Sequence, residues 1–312
     1  MPLLKTKTIS PSLQRKNMRI NLADLNIMER QAWLQHAIAP RPICFASTID
    51  KAGNANLSPF SFFNLFSANP PIVIFSPARR GRDNTLKHSL ENILEIPECV
   101  VNMVDYEMVQ QMSLSSCEFP KEVDEFIKAG FTKEAATMVG CPMVKEAKIK
   151  LECKVNEVKS LGDQGGAGQL IIAEVLCMHI DESILNAEKN MIDQTKMQFI
   201  ARLGGDWYCK VDSTNLFKVA KPNTQLGIGI DALPEGIKKS TILTGNHLGQ
   251  LANMHELPSI DPSFENNQLK NIVQYYSINP IEMEKELHLY AAELLNNNKV
   301  VEAWQVLLAD AY

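Results

Sequence analysis

The stretch Ile149 to Val158 alternates in character. Ile149, Leu151, Cys153 and Val155 occupy one set of positions, and Lys150, Glu152, Lys154 and Asn156 the other. Successive side chains of a strand point to opposite faces, so this pattern specifies a strand with one face in a core and one in water. A second run, Leu170 to Ile180, follows LGDQGGAG at 161–168. The glycines make that segment a flexible turn, and the two runs form a long antiparallel hairpin, half buried. Other strands precede it. Ile43 to Ile49 is apolar and small, Asp50-Lys51-Ala52-Gly53-Asn54 is a strong turn, and a new run starts at Ala55, so 42–66 is expected to be a hairpin. Ile72 to Phe75 and Cys99 to Val104 add two more strands. Between those two, Leu86, Leu90, Ile93 and Leu94 recur at helical spacing, with Asp83 or Asn84 as the expected cap and Pro97 as the stop. Leu25 to Ala37 reads as a helix ended by Pro40 and Pro42, residues 105–146 as mixed helix and loop, and 1–20 as a polar arm. The fold class expected is mainly β with added helices, the strands forming a small closed or partly closed barrel.

After about Val211 the pattern changes. Residues 234–255, 262–276 and 280–309 are helical in character, and Pro280 suits a first helical turn with Glu282, Glu284 and Glu286 near the positive end of the helix dipole. The division expected is a β-rich domain over 1–212 and a helical C-terminal extension over 213–312.

Charge argues against one class of partner. Lys plus Arg number 31 against 36 Asp plus Glu, for a net −5, whereas general nucleic-acid binders are usually basic. The opening twenty residues lack the apolar core of a secretory signal, and no run approaches the ~18 apolar residues of a membrane span. Seven cysteines are scattered without a CxxC pair, which fits free thiols in a reducing cytoplasm.

Three stretches carry possible chemistry. Arg79-Arg80-Gly81-Arg82-Asp83-Asn84-Thr85 places three arginines and a glycine before a helix start. Such a start offers unpaired N–H groups and partial positive charge to a phosphate, with Ser76 and Thr85 adding hydroxyls. The alternative is a solvated basic turn with an ordinary cap. NLSPFSFFN, residues 56–64, offers an apolar platform and polar edge groups for a flat ring, or else core phenylalanines with serines facing water. Arg202-Leu203-Gly204-Gly205-Asp206-Trp207-Tyr208 allows close backbone approach with Arg202 and Tyr208 as contacts, or a tight turn ending the β-domain. His179 in EVLCMHID is structural or lies at a barrel mouth. His36, His88, His247, His255 and His288 show no metal-ligand grouping, so no zinc site is expected. Gly227-Ile228-Gly229-Ile230-Asp231-Ala232 matches GxGxxA but lacks the flanking strand and helix of a dinucleotide fingerprint.

In order, RPICFASTID, KAGNANLSPFSFFN, ANPPIVIFS, RDNTLKHSLEN and CVVNMV, followed by IIAEVLCMHID and ARLGGDWY, resemble the flavin reductase-like family of FMN-binding split barrels. The resemblance covers roughly residues 36–212. It implies FMN bound non-covalently at the interface of a homodimer. Carried over by motif, Ser47, Thr48 and Ile49 lie near the flavin. Asn56, Ser58, Phe60 and Ser61 line the ring and ribityl chain, while Ser76, Arg82 and Thr85 hold the phosphate. Arg202 and Tyr208 approach the ring region. The segment Arg82-Asp83-Asn84-Thr85 is one residue longer than the family's K-D-T, which leaves the register of the phosphate contacts open. The helical extension is not part of the family core.

The resemblance implies an NAD(P)H-dependent flavin oxidoreductase, with NADH or NADPH as donor and a small acceptor or an electron-acceptor protein as partner. A flavoredoxin-type electron carrier is the alternative within the family. A non-enzymatic binding module with a partner-recruiting helical tail is the alternative outside it. Nucleic acid and membrane are not expected partners. No catalytic triad or carboxylate pair is expected, because the cofactor carries the chemistry.

Overall fold

A computed structural model of the chain describes residues 17–221 and 226–309. The chain divides into two compact units, Met1–Phe217 and Lys218–Tyr312. Most of the polar arm expected over 1–20 lies outside the described residues.

The first unit begins with helix α1 (Ile27–Ala37), whose start is a capping box between Asn26 and Glu29. Strands β1 (Arg41–Pro42), β2 (Cys44–Ile49), β3 (Ala55–Phe60), β4 (Phe63–Ala68) and β5 (Pro71–Phe75) follow. Next come α2 (His88–Glu95), β6 (Glu98–Met103), α3 (Val109–Leu114), α4 (Glu125–Ala129), and the short β7 (Lys133–Glu134) and β8 (Met143–Val144). The long pair β9 (Ile149–Ser160) and β10 (Gln169–Ile180) comes next, then β11 (Ile200–Arg202) and β12 (Tyr208–Lys210). Seven strands form one sheet in the order β3-β2-β6-β9-β10-β5-β4, every neighbouring pair antiparallel. The mainly β architecture with a helical C-terminal extension is therefore the fold observed.

Period-2 alternation explains the core. Cys44 and Ala46 of β2 join Val73, Phe75, Cys99, Val101, Ile149, Leu151, Cys153, Ile171 and Ala173 in one cluster, which Leu90 and Ile93 of α2 cover. Phe45 and Leu57 point the other way, into a second cluster with Met108, Met112, Phe126 and Phe131 around α3 and α4. Strand β2 is thus buried on both faces, and Ser47 and Thr48 have no exposed surface at all.

Four local expectations are corrected. The cap of α2 is Lys87, not Asp83 or Asn84; Asp83 instead accepts from the Thr85 N–H and hydroxyl in a tight turn upstream. Leu94, expected on the buried face, is 59% exposed. The run from Ala55 is not one strand, because Ser61 and Phe62 break it and β4 pairs with β5 rather than β2. Glu152 does not share the solvated side of β9. It is fully buried beneath the segment 137–139.

The second unit contains α5 (Glu235–Lys238), α6 (Gly245–Ala252), α7 (Asn267–Tyr275), α8 (Pro280–Asn296) and α9 (Val300–Leu308). Its core is its own: Leu251, Leu287, Ala291, Leu295, Ala303, Trp304 and Val306 pack together. Pro280 sits in the first turn of α8, as expected. The helix anticipated over 280–309 is two helices, because Asn298 adopts the left-handed φ of 58° between them. Gly229, with φ of 84°, precedes a single 3₁₀ turn, so the GxGxxA match opens no α-helix. Among the described residues no helix is long and apolar enough to cross a membrane.

Candidate functional site

The arginine-rich loop after β5 lies against the glycine-rich turn between β9 and β10. Arg79 N donates to Ala167 O at 2.9 Å, Gly166 N to Arg79 O at 2.9 Å, and Gln169 N to Pro77 O at 3.0 Å. The turn read as merely flexible therefore forms one wall of a cradle. Two of its glycines permit the close approach. A Cβ at Gly165 would stand 3.1 Å from the carbonyl oxygens of Arg80 and Gly81, and one at Gly168 would stand 2.7 Å from Ser76 Oγ.

Inside this loop the polar groups are unequally engaged. Arg79 bonds Asn84 twice, through Nε and Nη2 at 2.7 Å each, and so fastens the loop, with Asn84 in the left-handed region at φ 59°. Arg80 donates to Thr85 Oγ1 at 2.9 Å and to the Leu86 carbonyl. The Thr85 hydroxyl in turn donates to Asp83 at 2.7 Å, and that bond is the largest cause holding the Asp83 carboxyl down at about 2. Arg82 stands at the rim, 68% exposed, 2.7 Å from Glu118. Arg80 Nε and Lys87 Nζ each lie 3.3 Å from the same carboxylate, the arginine contact being one of charge without hydrogen-bond alignment. One side chain in the cradle has nothing to bond: Ser76 Oγ is buried and unpartnered. Such a group costs about 1–3 kcal/mol when left unsatisfied, so its position favours an incoming acceptor.

The remaining candidates separate into three groups. Ser47 Oγ donates to Pro142 O, and Thr48 Oγ1 accepts from Asn92 Nδ2 at 3.2 Å. Asn56 donates to Glu125 at 2.8 Å and accepts from Ser89. These three polar side chains are buried and held by protein partners. Burial is the largest effect on the Glu125 carboxyl and raises it. Ile49 packs beside them on the neighbouring core clusters. Ser58, Phe60 and Ser61 form a half-buried surface, Phe60 lying 5.5 Å from Phe75 between ring centres. Phe62 and Phe66 are exposed rather than core. Arg202 and Tyr208 line a separate cavity of about 400 Å³ with Tyr106, Gln110, Ser113 and Lys210. Arg202 there lies 4.6 Å over the Tyr208 ring and bonds its hydroxyl.

Sequence reasoning missed Arg41, Gly165, Gly168 and Glu118. Arg41 is buried, and its guanidinium donates to Gln35 O at 2.6 Å, to Ile38 O and to Leu203 O at 2.8 Å, with Ser61 Oγ 3.5 Å from Nε. It ties α1 and the Arg202 turn to the phenylalanine run. The density of glycine at 161–168 was the available signal for Gly165 and Gly168. No signal marked Glu118, which is distant in sequence from the cations it meets.

Comparison with known proteins gives consistent results. A family model described as the flavin reductase like domain matches residues 36–198. An Aquifex aeolicus protein is 41% identical over 173 residues, 55% of this chain and 85% of that protein. A Halalkalibacterium halodurans protein is 35% identical over 207 residues, 66% of this chain and 97% of that one. Among solved structures, nitrilotriacetate monooxygenase component B from Bacillus cereus superposes with a TM-score of 0.61 at 28% identity, covering 65% of this chain and 99% of that one. The 2-nitrobenzoate 2-nitroreductase of Pseudomonas fluorescens gives 0.60 at 25% identity, covering 68% and 100%. A Shewanella frigidimarina protein assigned as a flavin reductase with a split barrel domain gives 0.55 at 25% identity, covering 65% and 100%. The helical unit from Lys218 onward lies beyond the residues the family model matches.

Proposed function

Because this chain belongs to the flavin reductase like domain family and has its split-barrel fold, we propose that it binds FMN non-covalently and acts as an NAD(P)H-dependent flavin oxidoreductase. The observation that carries the reading is the buried, unpartnered Ser76 hydroxyl beneath a loop that the glycines of 161–168 approach closely. The donor set fits a phosphate: a hydroxyl with no protein acceptor, and Arg82 at the rim able to turn from Glu118. Thr85 borders the group through its turn, since its own hydroxyl is already committed to Asp83. Ser58, Phe60 and Ser61 would carry the ring and ribityl chain, with Ile49, while Arg202 and Tyr208, which line the separate cavity, would reach the ring across the interface of a homodimer. Thr48 and Asn56 act from behind, tying β2 and β3 to α2, and Ser47 ties β2 to the segment at Pro142.

Bound flavin would supply the redox chemistry, taking a hydride from a reduced nicotinamide and passing electrons to a small acceptor or partner protein. The chain's own part is binding, orientation and exclusion of water. Two similar proteins, a monooxygenase component and a nitroreductase by name, support redox chemistry as the setting. We assign the working form as a homodimer. Edge strand β4 presents Leu65 and Phe66, 63% and 64% exposed, and an apolar edge of this kind is ordinarily covered. Sedimentation of the purified chain at one protomer mass would remove that assignment.

The test is a visible spectrum of the protein with FMN, followed by anaerobic NADH or NADPH. A protein-bound flavin that bleaches supports the reductase and identifies the donor. A bound flavin that stays oxidised leaves an electron carrier, and absence of binding overturns the reading. Gly168→Ala places a methyl 2.7 Å from Ser76 Oγ, so the hydroxyl must turn away, and this should raise the FMN Kd about tenfold or more, the scale of one hydrogen bond to a charged group. An unchanged Kd in a folded variant would move the phosphate elsewhere.

A further inference from the structure

Strand β10 changes phase beside Glu152 of β9. Val175 pairs with Cys153, but Cys177 pairs with Glu152, so β10 spends one extra residue, Leu176, at that point. Such a bulge rotates the residues beyond it to the other face and re-aims side chains. Without it Cys177 would follow Ile171, Ala173 and Val175 into the core. With it, Cys177 and His179 stand on the face of Glu152, outside the barrel core.

The three side chains converge. His179 Nε2 is 2.5 Å from Glu152 Oε1 and 3.8 Å from Cys177 Sγ, and one ligand atom from each residue lies within 4.8 Å of the others. Glu152 is fully buried, while the His179 side chain is 28% exposed and opens the cluster to solvent. The carboxylate is already oriented: Thr137 N and Oγ1 donate to Oε1 at 2.9 and 2.7 Å, and Met138 N and Val139 N donate to Oε2 at 2.5 and 3.0 Å. Metal-binding carboxylates are commonly fixed by such outer hydrogen bonds.

We propose that Glu152, Cys177 and His179 form a three-ligand zinc site with its fourth position open to water. The ligand types, one carboxylate oxygen, one thiolate and one imidazole, are those zinc takes. Tetrahedral zinc bonds of about 2.0–2.3 Å set ligand atoms roughly 3.3–3.8 Å apart. The Cys177–His179 spacing meets this, and the His179–Glu152 contact must open by somewhat under about 1 Å. The ion replaces the protons on the thiol and on the shared imidazole nitrogen, both released to solvent. Histidine spacing gives no sign of these ligands, because they come from two strands and meet through the bulge. The site does not depend on flavin binding.

Tag-free protein, stripped with chelator, is titrated with Zn²⁺ and, separately, with Co²⁺. One equivalent should bind per chain, and Co²⁺ should give a thiolate-to-metal charge-transfer band in the near ultraviolet. Cys177→Ser should abolish the band and weaken Zn²⁺ binding about tenfold or more, and His179→Gln should weaken it independently of the thiol. Cys117→Ser, at an exposed cysteine elsewhere, should leave both signals unchanged. Failure of the parent protein to bind Zn²⁺, or a band that survives Cys177→Ser, would overturn the site.

Discussion

Glu152→Gln, measured in chelator, should lower the stability of the β-rich unit by about 3 kcal/mol near neutral pH. Burial acts most strongly on this carboxyl and by itself would raise it. The Thr137 hydroxyl and N–H, His179 and the Met138 N–H together outweigh burial and bring the value from an ordinary 4.5 down to about 2. A carboxylate depressed on folding contributes stability that is complete above the unfolded value. That contribution is lost as pH falls from about 4.5 through about 2. The difference corresponds to about 3 kcal/mol. The amide replaces one acceptor oxygen with a donor and leaves N–H groups of 137–139 facing it. The measurement is urea unfolding of parent and variant from pH 7 down to pH 2. The parent should weaken over the acid interval, and the variant should start weaker and show a flatter dependence there. A variant within about 1 kcal/mol of the parent at pH 7, or with the same acid slope, would show that Glu152 is not the group responsible.

Trp304→Ala should cost the helical unit about 3–5 kcal/mol, the usual range for emptying a buried aromatic position. Trp304 is fully buried, and its indole N–H donates to Leu251 O at 3.3 Å. It packs among α6, α8 and α9 in the buried cluster of the second unit. A domain of this size commonly holds only ~5–15 kcal/mol in total, so the loss falls mainly on one unit. Hydrogen exchange should speed up across Leu287–Leu295 and Val300–Leu308, while Phe45, Val101 and Leu151 keep their protection. Uniform loss of protection through both sets would mean that the two units unfold as one.

The legible parts of this chain were those set by local periodicity. Strands β9 and β10 follow from alternation, Pro280 opens α8, and the turn at 50–54 joins β2 to β3. What was hidden depends on distant contacts. Glu152 looked solvated because its neighbours in sequence, Lys150 and Lys154, are polar, and only the return of 137–139 across the sheet encloses it. The N-terminal boundary of α2 was misplaced because Asp83 and Asn84 have the chemistry of caps but spend it on a turn. The candidate site was legible as a set of motifs, yet not in its division of labour. Arg79 and Arg80 fasten their loop, Arg82 stands at its rim, and Ser76 is the one unengaged hydroxyl in the cradle. Residue type alone does not distinguish these roles.

The extra residue at Leu176 divides β10 into two stretches that obey different neighbours. Substitutions up to Val175 are judged by the volume of the barrel interior, and those at Cys177 and His179 by the loop that folds over Glu152. Deleting Leu176 would therefore straighten the strand without moving its final residues, leaving Cys177 opposite Glu152 and His179 opposite Lys150 as they already stand. The single inserted residue makes this hairpin a frame-shift in three dimensions, with its two halves free to vary under separate constraints.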